Sequence, residues 1–261
     1  MAKTRKPTPS RRPPPKRPTP TPRNPPAKAT PATSRTALYL ALAAVVLAAA
    51  VAIGIAASRG DDEPAAPTAD ACAQLRADVE PVTPVSNPPE LGSEVQAVTI
   101  TGAPLTPFPS GGDIPECAIG TPAPAVTGAS FYGTPVSITP ADGTPTLVLF
   151  VAHWCPHCQA EVPLLADWIA KGDNPPDVDI VTVSTGVDPS RPNYPPSAWL
   201  ESVNWPTPVL ADDAAGSAGQ AYGLRSFPYY VVLDGDGIVV DRFVGEVDPA
   251  ALGTRITEAL A

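Results

Sequence analysis

Histidine is nearly missing from this chain. There are two in 261 residues, His153 and His157, and both fall in one six-residue run. A copper-carrying site that draws on a distant histidine is therefore poorly served. Cysteine is also sparse, four in all, with a single close pair, Cys155 and Cys158. A structural zinc site needs four ligands, and Cys72 and Cys117 bring no paired spacing to complete one. Position 159 is Gln, so the C-x-x-C-H signature of covalent haem attachment is absent. Acid is missing from residues 1–59, which hold eleven Lys and Arg; the other six basic residues and all 26 acids follow. The formal net charge of −9 hides this division, because residues 60–261 alone carry −20. A body so acidic repels phosphate, which excludes nucleic acid as its partner. Wholesale disorder is excluded as well, since 43% of the residues are hydrophobic and several runs are dense enough to bury a core.

What separates the two electrostatic halves is an uncharged stretch of 21 residues, positions 37–57, of which ten are Ala. As a helix it would span roughly 31 Å, about one bilayer core. Ten basic residues precede it and Asp61, Asp62 and Glu63 follow, so the positive-inside rule predicts a single-pass anchor in the cell membrane. The N-terminus is then cytoplasmic and the body extracytoplasmic. A cleaved signal peptide is the rival, with Ala56, Ala57 and Ser58 as small residues, but the run exceeds the usual apolar region of such peptides. The expected organisation is a disordered, basic, Pro-rich tail at 1–36 and a transmembrane helix at 37–57. An acidic, Pro-rich linker at 58–117 and a folded domain at 118–261 follow. The tail reads as a topology signal, with anionic lipid as the alternative partner.

Within the linker, 70–80 suits a short helix and 94–101 alternates like a strand. Positions 146–152 (TLVLFVA) form a continuous apolar run, the mark of a strand buried on both faces. It leads through the cysteine pair into a helix over 159–171, ended by Gly172. A second buried strand is expected at 178–184, and short helices at 197–203 and 212–222, the latter capped by Asp212 or Asp213. Strands at 229–233 and 238–244 flank Asp234-Gly235-Asp236-Gly237, a hairpin signal. Asp248-Pro249 opens a last helix with Leu252, Ile256 and Leu260 on one face. The Asp-Gly-Asp-Gly sequence is not a calcium loop, because no further acids follow at the required spacing.

A C-x-x-C at the junction of a buried strand and a helix favours one chemistry. Cys155 at the helix N-terminus gains from unpaired N–H groups and the helix dipole, which stabilise a thiolate. Cys158, one turn further in, can close a disulfide or release a mixed disulfide. His157 between them would add to thiolate stabilisation, and a stabilised reduced form makes a stronger oxidant.

These motifs resemble the thioredoxin-like TlpA/ResA family. The resemblance is carried by Ile119-Gly120-Thr121-Pro122-Ala123-Pro124, by Phe150 with Trp154-Cys155-Pro156-His157-Cys158, and by Glu161-Val162-Pro163-Leu164. Gly223-Leu224-Arg225-Ser226-Phe227-Pro228 and Val231-Val232-Leu233-Asp234-Gly235-Asp236-Gly237 extend it. The Pro-His dipeptide is instead similar to that of DsbA-type oxidants. The resemblance implies an α/β thioredoxin-like fold, a central mixed sheet flanked by helices, and a membrane-tethered or exported thiol–disulfide oxidoreductase. It implies that Pro228 is a cis-proline facing the dithiol, that Glu161 tunes proton transfer, and that Trp154 shields the disulfide edge. Two departures stand out: Leu149 occupies the position of a thioredoxin's buried Asp, which leaves Glu161 or water as proton acceptor, and Phe227 precedes Pro228 where smaller residues are usual.

Assigning Cys155 and Cys158 to each other leaves Cys72 with Cys117. A structural disulfide there would stabilise the fold by roughly 4 kcal/mol; a second redox pair relaying electrons is the alternative. His153 lies at the rim, without an assigned direct role. No cofactor and no metal is expected. The partners would be cysteine-containing exported proteins and a membrane redox protein that resets the dithiol. Two alternatives stay open: a reductant serving cytochrome c maturation, and a non-catalytic copper or zinc chaperone.

Overall fold

The computed structural model describes residues 69–109 and 115–261. The basic tail and the apolar stretch at 37–57 lie outside the described residues; among those described, no helix is long and apolar enough to cross a membrane.

The centre is a five-stranded mixed sheet. Strand β4 (Thr146–Val151) runs parallel to β5 (Asp179–Ser184), which runs parallel to β6 (Val209–Ala211). On its other side β4 pairs antiparallel with β7 (Tyr229–Leu233), which pairs with β8 (Val239–Val244). The parallel step from β4 to β5 requires a crossover, supplied by helix α2 (Pro156–Ala170). Beyond Thr146 every residue of β4 is buried, with alternate side chains feeding two cores. Leu147, Leu149 and Val151 face α2 and the last helix, α5 (Pro249–Ala259); Val148 and Phe150 face the opposite core. This is why the run reads as unbroken hydrophobicity. The opposite core is closed by helix α4 (Ser217–Ala221) and a three-stranded antiparallel sheet of β1 (Thr99–Thr101), β2 (Ala125–Ala129) and β3 (Pro135–Ile138). Helix α3 (Pro196–Ser202) brings Trp199 and Leu200 to the first core.

The expected mixed sheet, the α2 crossover, the hairpin at Asp234 and the Asp248 cap are all present. Asp234 Oδ1 accepts from the Asp236 and Ile238 amides, and Asp248 Oδ1 from Ala250 and Ala251. Three expectations need correction. The strand at 94–101 is reduced to β1: Glu94 closes a 3-10 turn over Pro89–Glu94, and the Gln96 amide donates to the Asp212 carbonyl instead of to a strand of that sheet. In that turn Glu94 points its carboxylate at the Ser197 amide and hydroxyl. The helix at 212–222 shrinks to α4 with Gly216 as its cap. Asp212 and Asp213 instead bind the amides of residues 215, 217, 218 and 219, and hold the preceding loop out of helical geometry. Finally, 69–109 is not a spacer but a packed strap. Helix α1 (Ala69–Ala77) is tied by the Cys72–Cys117 disulfide, and Leu91, Val95, Val98 and Leu105 are buried. The Leu105 and Phe108 amides donate to the Ala221 and Gly223 carbonyls.

Glu116, next to Cys117, neutralises a buried cation that the strap also contacts. Arg242 on β8 is 4% exposed and pairs with Glu116 at 2.7 Å. It donates as well to the carbonyls of Thr106 and Pro107, so its own charge is compensated within the interior.

Candidate active site

Residue by residue, the site grows from the end of β4. Cys155 is the N-cap of α2 with extended backbone, and its amide donates to the Ala152 carbonyl at 3.0 Å. Pro156 follows at the first helical position, where its missing N–H is no loss. Cys155 is 5% exposed and Cys158 is fully buried; both are free thiols. The Cys155 Sγ donates to the Phe227 carbonyl at 3.7 Å, and the Phe227–Pro228 peptide is cis. The start of β7 therefore offers its backbone to the sulfur. Burial pushes the Cys158 thiol well up, opposed in part by the Ala152 carbonyl and reinforced by Cys155 and Glu161.

Glu161 is 2% exposed, because it shares the inward stripe of α2 with Cys158, Val162, Leu165 and Trp168. Its Oε1 accepts from the Val247 amide at 2.5 Å. Burial raises its pKa, against the pull of the Tyr230 hydroxyl and the Val247 amide. Tyr230 is pushed up by burial and then by Glu161. The two are coupled electrostatically, yet Glu161 Oε2 and the Tyr230 hydroxyl are both buried without a hydrogen-bond partner of good geometry. Tyr230 stands opposite Leu149 across β4 and β7. A carboxylate from the helix, Glu161, thus meets Tyr230, the cross-strand partner of Leu149.

His157 points elsewhere. It is exposed, and its Nδ1 lies 2.6 Å from Glu246 Oε1, so the group facing the imidazole is a carboxylate. Trp154 donates its indole N–H to the Gly186 carbonyl at 2.7 Å, meets the Phe227 ring edge-on at 5.7 Å, and lies under the Arg191 guanidinium. Cys155, Cys158, Glu161 and Pro228 are thus gathered in one place, with His157 on the outer surface of the same helix turn. Cys72 on the strap is joined to Cys117 beyond it. Sequence reading missed Tyr230, which cross-strand pairing brings to Glu161 and Cys158, and Glu246, which the β8–α5 turn brings to His157. The helical stripe through Cys158 was the available signal for a buried Glu161.

Residues 118–256 match the Redoxin family model. The chain is 30% identical over 138 residues to the thiol:disulfide interchange protein DsbE of Pseudomonas aeruginosa, covering 52% of this chain and 72% of that protein. It is 29% identical over 123 residues to the methylamine utilization protein MauD of Paracoccus denitrificans, covering 46% and 56%. Among solved structures it is similar to a secreted Mycobacterium tuberculosis disulfide oxidoreductase homologous to the DsbE of E. coli. That likeness has 25% identity, a TM-score of 0.42, and covers 51% of this chain and 94% of the other.

Proposed function

We propose a specific role for a chain that belongs to the Redoxin family and is a thiol–disulfide oxidoreductase of the TlpA/ResA/DsbE type. It exchanges disulfides with cysteines of exported proteins, Cys155 being the nucleophile and Cys158 the resolving thiol. The observation that carries this reading is the pairing of a helix-capping Cys155, its sulfur on the Phe227 carbonyl, with a buried Cys158 one turn inward.

In the reducing direction the Cys155 thiolate attacks one sulfur of a substrate disulfide. A Cys155–substrate bond forms, the substrate S–S bond breaks, and the first substrate thiolate leaves and takes a proton. Cys158 then gives up its proton and attacks the Cys155 sulfur. The Cys155–Cys158 disulfide forms and the second substrate thiol is released, so two electrons and two protons have passed to the substrate. Run backwards, the same steps oxidise a substrate dithiol. Deprotonating Cys158 is the difficult step, since burial holds its proton. Glu161 accepts that proton; its raised pKa suits an acid–base group nearer neutrality than an ordinary carboxylate.

An extracytoplasmic location is supported by the uncharged 37–57 stretch behind a basic tail and by the Cys72–Cys117 disulfide, a bond of oxidising compartments. A second reading, a reductant serving cytochrome c maturation, gains from the position of His157. With Glu246 opposite it, the imidazole is a weaker source of positive field at Cys155 than an unpaired His would be. The reduction potential of the full-length chain in a thiol–disulfide buffer separates the two. A value near about −120 mV means an oxidant, and one near about −270 mV a reductant that needs electrons from across the membrane. Absence of exchange together with stoichiometric Cu(I) or Zn(II) binding would replace both with a metal carrier.

A further inference from the structure

His153 takes no part in the exchange chemistry described above, yet it is fully buried two residues before Cys155. Both of its ring nitrogens are committed to one loop. Nδ1 lies 2.7 Å from the Pro192 carbonyl and Nε2 lies 3.2 Å from the Asp188 amide. A carbonyl can only accept and an amide N–H can only donate, so these partners fix the neutral tautomer with its proton on Nδ1. The His153 carbonyl accepts from the Asn193 side chain at 3.3 Å, where the backbone turns through φ 59°. One residue thus holds three points of the 188–193 loop.

That loop reaches the dithiol. Gly186, just ahead of it, takes the Trp154 indole N–H, and Arg191 covers the Trp154 ring at 4.6 Å. Trp154 abuts Phe227, whose carbonyl receives the Cys155 thiol. We propose that His153 is a positioning residue: its neutral ring pins the 186–193 loop beside Trp154 at the rim of the dithiol. Protonation of the ring releases the loop and weakens the hold on disulfide substrates. The inference rests on the exchange reading for its substrate, though not for the clamp itself.

The physical reason is donor count. A proton on Nε2 sets one N–H against another, leaves the Asp188 amide without an acceptor and buries a cation. The charged and titratable groups facing the ring are Asp188, Glu94 and Arg191, with the Tyr194 ring edge-on at 6.0 Å. Burial, the largest influence, and Arg191 oppose protonation, while the Pro192 carbonyl, Asp188 and Glu94 favour it; burial prevails and lowers the ring's pKa from its ordinary value. The clamp therefore persists at neutral pH and opens as the solution turns acid.

The test uses the full-length chain reducing a dye-labelled, self-quenched glutathione disulfide, with dithiothreitol as electron donor. From pH 7.5 to 5.5 the wild-type KM should rise about threefold or more as the open loop becomes populated. His153→Gln keeps a donor and an acceptor but cannot titrate, so its KM should stay nearly flat. Comparing the two at each pH cancels the pH dependence of the exchange chemistry itself, which they share. His153→Phe, which fills the space without bonds, should show the raised KM at both pH values; if it fails to fold, the Gln comparison stands alone. One common KM profile for wild type and His153→Gln overturns the proposal. Trp154 emission, taken as the difference from Trp154→Phe, provides a readout that needs no substrate. It should change between pH 7.5 and 5.5 in the wild-type background and not with Gln at 153; an unchanged wild-type emission also overturns the clamp. Wild-type chain that shows no turnover but does show this emission change strikes the exchange reading and supports the clamp.

Discussion

The two cysteine pairs sit in opposite kinds of surroundings. Cys72 and Cys117, 45 positions apart, are closed into a disulfide in a region where the polar groups are matched. Arg76 donates to the Cys117 carbonyl and the buried Arg242 meets Glu116, Thr106 and Pro107. Cys155 and Cys158 are open thiols beside Glu161 and Tyr230, two buried groups coupled to each other and each pushed by burial toward its protonated form. Burial and mutual coupling of titratable groups next to a dithiol mark a place where protons are held and moved, rather than one built only for stability. The strap region is built to stay shut and the dithiol region to change state.

The comparison is broken most sharply at Cys155. Cys155→Ser should lower turnover of a disulfide peptide more than about a thousandfold with little change in melting temperature. Cys158→Ser should accumulate a mixed disulfide visible by mass spectrometry. Exchange that survives Cys155→Ser would remove this residue as nucleophile. At the other end, Arg242→Met leaves Glu116 without its cation and two carbonyls without donors. A loss of about 3–5 kcal/mol is expected in denaturant titration, with the reduction potential of the dithiol unchanged. A smaller effect, about 2–4 kcal/mol, should follow Cys72→Ser with Cys117→Ser, again with exchange intact. Lost exchange at unchanged stability would make that pair a relay and erase the contrast.

Glu161→Gln sharpens the contrast from within. Resolution of the mixed disulfide at neutral pH should slow about a hundredfold in single-turnover measurements. The stability change has the opposite sign. A carboxyl whose pKa is raised by folding contributes stability below its unfolded pKa and loses it as pH rises through the folded value. The wild type should therefore weaken on going from the ordinary carboxylate range toward neutrality, and the Gln variant should lack that slope. Parallel stability profiles would mean that folding does not raise the Glu161 pKa.

Much of the frame was legible because it is local. Pro156 after an extended Cys155, the unbroken apolar run of β4, the Asp234 turn and the Asp248 cap are each written within a few residues. The strap was misread for a related reason: its prolines and acids look like a linker, while its packing depends on surfaces of β2, α4 and β8 that its own sequence does not display.

By itself, then, the sequence determined where the dithiol sits, at a helix start behind a buried strand, and which cysteines remained for each other. Backbone preference and hydrophobic period act between neighbours, so the order of residues is enough to specify them. Only the tertiary structure decided that His157 faces Glu246, 89 positions away, that Glu161 is buried beside Tyr230, and that His153 holds the 188–193 loop. Those outcomes depend on which surfaces meet, and burial and partners, not residue type, set the charge a titratable group carries.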